Sequence, residues 1–388
     1  MKIALTIEYF DPAKGGGETY ARNFGRALLA AGHEVHVFTN AWDPEEKGFV
    51  YHRVPKGRLF RRYQFARRAA RLVQAEPFDI VHGFGKSVYM HVFRPGGGVH
   101  RAWMIQELKA VGPGPKRWLT RLRQCLSLDQ HLVLRLEREQ FRADGPFIIA
   151  VSKMVRDEIL RFYPVSPERI RVIYNGVDIE RFHPCNRERY REGLRHELGQ
   201  RDDEVMLLFV GHNFKRKGLR PLIQALPMLK DASPPPRLVV LGGDRPGPYV
   251  NLARKLGCAD MVQYVGPSRQ AERYYAAADI LVFPSYYDPC ANVVLEALAS
   301  GLPVVTSIYN GSGELITQGR EGYVVDPDDT KALAEAIRAL LDPAKRAAAS
   351  RAARALAETR PIAQNFKEVM AVYDLVLAER RTGIATCT

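Results

Sequence analysis

A chain of 388 residues exceeds the roughly 250–300 at which a single hydrophobic core stops growing, so two domains are expected. Hydrophobic residues make up 46% and charged residues 26%, a balance that excludes a globally disordered chain. The 57 Lys and Arg against 43 Asp and Glu leave a net +14, which attracts something anionic: nucleic acid, a phosphorylated substrate or an acidic membrane surface.

The opening MKIALTIEYF runs into a strand pattern without the long apolar core of a signal peptide. No window approaches about 18 uninterrupted apolar residues, so membrane contact is expected to be peripheral. Cys125, Cys185, Cys258, Cys290 and Cys387 are odd in number and never spaced as CxxC. Neither a disulfide framework nor a zinc site is expected, and a reducing cytoplasm is the natural compartment.

Residues 2–8 alternate as a strand, Gly15-Gly16-Gly17 breaks the chain, and residues 18–31 carry a helical stripe closed by Gly32. Residues 35–39 form the next strand. Residues 53–123 hold 16 basic and 3 acidic side chains, a local +13 that is nearly the whole excess. Within them Leu59, Tyr63, Ala66, Ala70 and Val73 fall at helical spacing, with Arg61, Arg62, Arg68 and Arg71 between them. The basic stretch is expected to lie on an anionic membrane surface through Arg61, Arg62, Arg67 and Arg68; the other reading is a solvated helical face. Residues 78–82 and 147–151 are further short apolar runs, and the alternation implies a parallel sheet wrapped by helices.

The pattern stops near residues 172–178, stays polar to about Asp203, and restarts at 205–210. A helix is expected from about Gly218, then strands at 237–241, 261–265, 280–283 and 303–306. Helices are expected at 329–341, 343–356 and 361–381, the last with a stripe of Phe366, Val369, Val372, Tyr373, Val376 and Leu377. These signals divide the chain into an α/β domain at 1–175, a linker region at 176–203 and a second α/β domain at 204–360. Ligands of such folds bind beyond the carboxyl ends of the strands, which points to a cleft between the halves.

Gly85-Lys86-Ser87 resembles the end of a P-loop, but the earlier glycine of that motif falls on Ile80, which argues against a Walker nucleotidase. Asp326-Pro327-Asp328 has a metal-binding spacing, yet it stands at the start of a helix, where aspartates serve turns and caps. Residues 284–305 differ. A buried strand ends at Pro284, a loop carries Asp288, a helix begins near Cys290 or Ala291, and Glu296 lies inside it. First-turn amides at Ala291, Asn292 and Val293 suit a phosphate, and an acid further along can hold hydroxyls. Glu296 reads equally as a solvent-facing helix residue. Phe214-Lys215-Arg216-Lys217-Gly218 is either a solvated basic turn or a pair of cations able to neutralise a diphosphate without metal.

On these motifs the sequence resembles the retaining glycosyltransferases of the GT-B type, in the large group that includes the lipopolysaccharide core glucosyltransferases. The resemblance spans essentially the whole chain. It rests on the glycine loop with Gly32-His33-Glu34-Val35, on Asp79-Ile80-Val81-His82, on Val172-Ile173-Tyr174-Asn175-Gly176-Val177-Asp178, on Arg216-Lys217-Gly218, on Ala277-Ala278-Asp279, and on Asp288 and Glu296 with Gly301-Leu302-Pro303-Val304. Residues 95–103 further resemble the lipopolysaccharide-core branch.

The resemblance implies two facing Rossmann-like domains with an interdomain cleft, the C-terminal helix crossing back to complete the first. It implies a nucleotide-sugar donor of the UDP-glucose kind, held mainly by the second domain, and a glycan or lipid-linked acceptor such as a lipopolysaccharide core. Arg216 and Lys217 match the positions that bind the diphosphate, Asp288 the acid that contacts the transferred sugar, and Glu296 the acid that holds ribose hydroxyls. Gly16 and Gly17 match the loop where backbone approaches the donor phosphates, Cys290 to Val293 the amides at the helix start, and His100 a histidine near the reaction centre. The family usually has Glu where this chain has Asp288, one methylene shorter, and Gly where it has Ala291.

No cofactor and no metal are expected, and the enzyme is expected to work in the cytoplasm, peripheral on the inner face of the membrane. Three other readings stand beside this one: a nucleic-acid binder, which the absence of a recognisable reading module disfavours; a nucleotide-sugar epimerase or hydrolase on the same fold; and a membrane-binding module without activity.

Overall fold

The computed structural model describes residues 1–381; Cys387 lies outside the described residues. The chain divides into two compact units. The first comprises residues 1–108, 112–175 and the C-terminal segment from Asn365. Its strands are β1 (Lys2–Thr6), β2 (Tyr9–Phe10), β3 (Glu34–Thr39), β4 (Ala41–Trp42), β5 (Val50–Arg53), β6 (Ile80–Phe84), β7 (Val92–Arg94), β8 (Phe147–Ala150) and β9 (Ile170–Val172). Strands β2 and β4 pair with each other; the other seven form one parallel sheet in the order β5-β3-β1-β6-β7-β8-β9. The central strands are continuous apolar runs because helices cover both faces of the sheet, and β6 and β8 are buried along their whole length.

The stripe of the C-terminal helix, Ile362–Arg381, finds its partner surface here: Val369, Val372, Tyr373 and Val376 pack with Leu5, Phe24 and Ile80 in the first unit's core. Tyr373 OH hydrogen-bonds His82 Nδ1 at 2.7 Å, and Tyr20 OH donates to Asn365 Oδ1 at 2.9 Å.

The basic helix spans Arg61–Gln74 and buries Phe65, Ala66, Ala69 and Val73, a stripe rotated from the expected one. Leu59 precedes the helix and is exposed. Two of the four arginines expected at a membrane are engaged within the unit: Arg67 pairs with Glu139 at 2.6 Å, and Arg68 donates to the Pro55 carbonyl. The helix Pro115–Leu126 carries four exposed apolar side chains, Trp118, Leu119, Leu122 and Leu126, with Trp118 and Leu126 64% and 74% exposed. Among the described residues no helix is long and apolar enough to cross a membrane.

The second unit comprises residues 176–364 with 109–111. Its strands are β10 (Met206–Val210), β11 (Arg237–Leu241), β12 (Val262–Gly266), β13 (Ile280–Phe283), β14 (Val304–Ser307) and β15 (Gly322–Val325), parallel throughout in the order β12-β11-β10-β13-β14-β15. Part of the stretch expected as a linker is built into this unit. Residues Asn186–Glu197 form a helix whose Arg187, Arg191 and Arg195 all reach Asp279, at 3.3, 2.8 and 3.1 Å. Asp279 Oδ2 also accepts from the Met206 amide at 2.8 Å, tying that helix to the start of β10. Burial alone would raise the Asp279 pKa, but Arg191, the Met206 amide and Arg195 outweigh it and hold the carboxyl below its ordinary value.

Candidate functional site

In the second unit β10 is flanked by β11 on one side and β13 on the other, so the loops leaving β10 and β13 diverge at the carboxyl end of the sheet. Doubly wound sheets open a crevice at this switch point. The first wall is the turn after β10. Asn213 stands in the left-handed region at φ 59°, its Oδ1 accepts from the Arg216 amide at 3.2 Å, and its carbonyl accepts from the Lys217 amide at 3.1 Å. Gly218 follows at φ +81°, and a Cβ there would lie 1.8 Å from the Pro284 carbonyl oxygen. Only glycine allows this approach. The Tyr286 amide donates to the Arg216 carbonyl at 2.8 Å, so the basic turn and the loop after β13 are stitched backbone to backbone.

The second wall is that loop, residues 284–291, buried throughout. Thr306 Oγ1 donates to the Phe283 carbonyl at 2.9 Å, the Asp288 amide donates to Tyr309 O at 3.0 Å, and Asp288 O accepts from the Gly311 amide at 2.8 Å. Asp288 is thus fixed at its backbone, and its Oδ2 accepts from Lys217 Nζ. Burial pushes the Lys217 pKa down, the Asp288 charge opposes this and Arg216 adds to it, leaving the ammonium below its ordinary value. Arg216 is half-buried, and its buried Nε has no hydrogen-bond acceptor among the described residues. Two cations and one carboxylate therefore meet at this switch point.

The helix Asn292–Ala299 starts at Ala291, whose side chain makes no capping hydrogen bond. Cys290 and Ala291 are buried, and Ser312 Oγ donates to the Ala291 carbonyl at 3.1 Å; Asn292 and Val293 are half-buried. Glu296 is half-buried too, not solvent-facing, and accepts from Tyr275 OH at 2.8 Å. Burial raises the Glu296 pKa against the opposing Tyr275 hydrogen bond and Arg181 charge. Tyr275, 21 residues away, is a partner no local motif announces. The aspartates of 326–329 serve turns and caps: Asp326 Oδ1 accepts from the Asp328 amide, Asp328 Oδ1 from Tyr286 OH, and Asp329 Oδ1 from the Ala332 amide.

The remaining expected residues belong to the first unit. Gly16 and Gly17 open the helix Gly16–Ala30 after β1, both exposed, and a Cβ at Gly17 would meet nothing within 4 Å. His100 opens the helix His100–Val111 and lines a cavity of about 230 Å³ with Arg62, Lys86, Trp103 and Glu137. Its Nε2 donates to Gln130 Oε1, and burial together with the Lys86 charge lowers its pKa, so the ring is neutral at pH 7. Buried Glu137 caps this helix from a distance, accepting from the His100 and Arg101 amides and from Tyr163 OH. Burial lowers the Lys86 pKa while Glu137 opposes, and Lys86 has no ion-pair partner within 4 Å among the described residues. The sequence signal for Lys86 was its place directly beyond the buried strand β6, not the failed P-loop match.

Two doubly wound parallel sheets in succession, the second carrying a cationic turn at its switch point, define a protein of the GT-B class. Known proteins narrow this. The family model "Glycosyl transferases group 1" matches residues 191–356, and "Glycosyltransferase Family 4" matches residues 14–181. The chain is 33% identical over 383 residues to the D-inositol 3-phosphate glycosyltransferase of Corynebacterium efficiens, covering 88% of this chain and 87% of that one. It is 28% identical over 374 residues to the lipopolysaccharide glucosyltransferase WaaG of Escherichia coli, covering 93% and 96%. Among solved structures, that of WaaG superposes with a TM-score of 0.80 at 25% identity over 96% of this chain and 99% of that one. The Anabaena HepE structure in complex with UDP-glucose shares the fold, with a TM-score of 0.73 at 18% identity over 96% and 99%. The chain belongs to the group 1 glycosyltransferases and is a glycosyltransferase.

The Gly218 contact sets a first expectation. Gly218→Ala must hold a left-handed alanine, at about 1–2 kcal/mol, and also move backbone at Pro284. Thermal unfolding should show Tm falling by several degrees, since about 2–4 °C accompanies each kcal/mol in a domain of this size. An unchanged Tm would mean that the two loops are not locked together.

Proposed function

We propose that the protein moves a hexose from a nucleoside diphosphate sugar of the UDP-glucose kind to a glycan or lipid-linked acceptor, with retention of anomeric configuration and without metal. The observation that carries this reading is the pairing of Arg216, whose Nε lacks an acceptor among the described residues, with the half-buried Lys217 at the switch point of the second sheet. Breaking the anomeric carbon–oxygen bond leaves charge on the departing diphosphate. Two fixed cations and a helix start stabilise that charge as it develops, without reorganisation. The uncapped start of the helix Asn292–Ala299 suits the diphosphate, and Glu296, oriented by Tyr275, suits ribose hydroxyls. Asp288, fixed through its backbone, is left to meet the transferred sugar, and Gly16 and Gly17 offer backbone without side chains to the donor phosphates. WaaG, described as a glycosyltransferase involved in lipopolysaccharide biosynthesis, supports a lipopolysaccharide core as the acceptor.

On the first unit, Lys86 and His100 in the small cavity suit an acceptor bearing negative charge. An anionic bilayer on the inner face of the cytoplasmic membrane is the surface from which a lipid-linked acceptor is presented. The element suited to it is the helix Pro115–Leu126, with exposed Trp118, Leu119, Leu122 and Leu126 beside Lys116, Arg117, Arg121 and Arg123. Apolar side chains and basic residues on one exposed helix are what an interfacial helix requires.

Three measurements test these roles. Arg216→Ala and Lys217→Ala should each lower turnover of a labelled nucleotide sugar by about 10²–10³ with Tm unchanged; normal turnover by both overturns the site. Product analysis with and without acceptor separates transfer from hydrolysis or epimerisation. The raised Glu296 pKa sets the second: nucleotide affinity should fall with decreasing pH at values above the ordinary glutamate pKa of 4.5, because the carboxylate that accepts from hydroxyls is lost there. Glu296→Gln should bind more weakly and with a flat profile; parallel profiles would remove Glu296 from the ribose. For the third, replacing Trp118, Leu119 and Leu126 by Ser should weaken partition onto phosphatidylglycerol vesicles by more than about ten-fold. Unaltered partition would discard this helix as the membrane contact.

A further inference from the structure

A second cavity of the first unit, about 550 Å³, lies among the helices His100–Val111, Pro115–Leu126 and Leu128–Gln140. This volume falls within the ~300–1,000 Å³ typical of small-molecule sites. Its floor is apolar, with Met104 and Leu108 of one helix and Leu134 of another, and Ile105 stands exposed at its mouth. Its charged lining is basic, with Arg101, Arg121 and Arg138 beside His131, and no aspartate or glutamate; Gln124, Cys125 and Tyr163 complete it. Among the described residues neither Arg121 nor Arg138 has a carboxylate within 4 Å. Arg101 lies over the Phe162 ring at 5.0 Å.

A wholly apolar occupant would leave the guanidinium groups unanswered, and a free anion would leave the apolar floor wet. The two halves of the lining together specify an amphiphile with an anionic head. The surroundings favour a lipid over a soluble amphiphile. Trp118 and Leu122 flank Arg121 and Cys125 at helical spacing on the helix that walls the cavity, and both are exposed. We propose that this cavity takes one acyl chain of an anionic glycerophospholipid, with the lipid phosphate held by Arg101, Arg121 and Arg138. Such a site holds a single lipid in a defined pose, distinct from the general attraction of a basic helix to a charged surface. It rests on no assumption about glycosyl transfer.

Cys125 lines the cavity and is exposed, while Cys185 is exposed in the second unit, so one chain carries both probe and control. The full-length protein is treated with N-ethylmaleimide in the presence of monomeric dihexanoyl-phosphatidylglycerol, dihexanoyl-phosphatidylcholine or inorganic phosphate, and alkylation at each cysteine is followed by peptide mass spectrometry. Phosphatidylglycerol should slow Cys125 alkylation by about ten-fold or more while leaving Cys185 unchanged. Phosphatidylcholine should protect at least about ten-fold less well, and phosphate not at all. Arg138→Glu should abolish the protection, with its thermal unfolding showing that the variant is folded. A second variant, Ile105→Trp, narrows the mouth from an exposed position and should weaken protection in the same way. Absence of protection by phosphatidylglycerol, equal protection by phosphatidylcholine, protection by phosphate alone, or full protection in both variants would each overturn the proposal. A UDP-glucose titration of the same samples keeps this outcome separate from donor binding.

Discussion

The close approach of Gly218 to the Pro284 carbonyl is the constraint on which the second unit's site depends. Strands β10 and β13 are neighbours, and the loops that leave them point to opposite faces of the sheet. Left to diverge, these loops would hold Lys217 and Asp288 apart. A side chain at position 218 would force that separation; glycine removes it, and the Tyr286 amide then closes onto the Arg216 carbonyl. The ion pair between Lys217 and Asp288 follows from this backbone contact rather than creating it. A buried ion pair is a poor source of stability because desolvation offsets attraction. A backbone lock supplies the geometry without asking the charges to do so, and it leaves them available for chemistry.

The net charge does not describe one surface. Arg94 is buried at 2% exposure, its guanidinium 3.4 Å from the centre of the Tyr20 ring and bonded to Asn175, which makes it part of the core. Arg67 and Arg68 brace the helix Arg61–Gln74 against its surroundings. Lys86 is turned into a cavity, and Arg101, Arg121 and Arg138 line another. The cations of the first unit thus divide among packing, two cavities and exposed positions such as Arg61, Arg71, Lys116 and Arg117. Count and position along the chain carry no information about which side chains fold inward.

Where an element is a continuous apolar run bounded by turn residues, the sequence is enough: β1, β3, β6, β8, β10, β11 and β13 are all legible, because buried parallel strands need no alternation. The short strands β5, β7 and β9 are not: three or four residues leave too little pattern, whether at the sheet's edges, as for β5 and β9, or inside it, as for β7. The helix His100–Val111 is illegible for a different reason. Its cap is the Glu137 carboxylate, some 36 residues away, so no local Ser, Thr or Asp announces its start. The same distinction governs the site. Lys217, Asp288 and Glu296 can be read as residue types on strand-end loops and a helix start, whereas the Tyr275 partner of Glu296 and the isolation of Lys86 are tertiary facts. On the Arg61–Gln74 helix Phe65 is buried rather than Tyr63, so the packed stripe is rotated from the expected one; Arg61 and Arg62 stay exposed, while Arg67 and Arg68 are engaged within the unit.

An imbalance of charge is what gives the switch point of the second sheet its direction. Asp288 answers one of the two cations; the other, Arg216, keeps a buried Nε without an acceptor among the described residues. A buried donor left unsatisfied costs about 1–3 kcal/mol, and more when it belongs to a charged group. Burial lowers the Lys217 pKa even with Asp288 in contact, so the ammonium too is under-compensated. Both penalties are borne by the protein alone and are relieved by any anion that fills the remaining hydrogen-bond positions. The relief grows as negative charge on that anion grows. On the proposed reading, a departing diphosphate, which gains charge along the reaction, would be held more tightly at the transition state than before it, and such a difference is what accelerates a reaction.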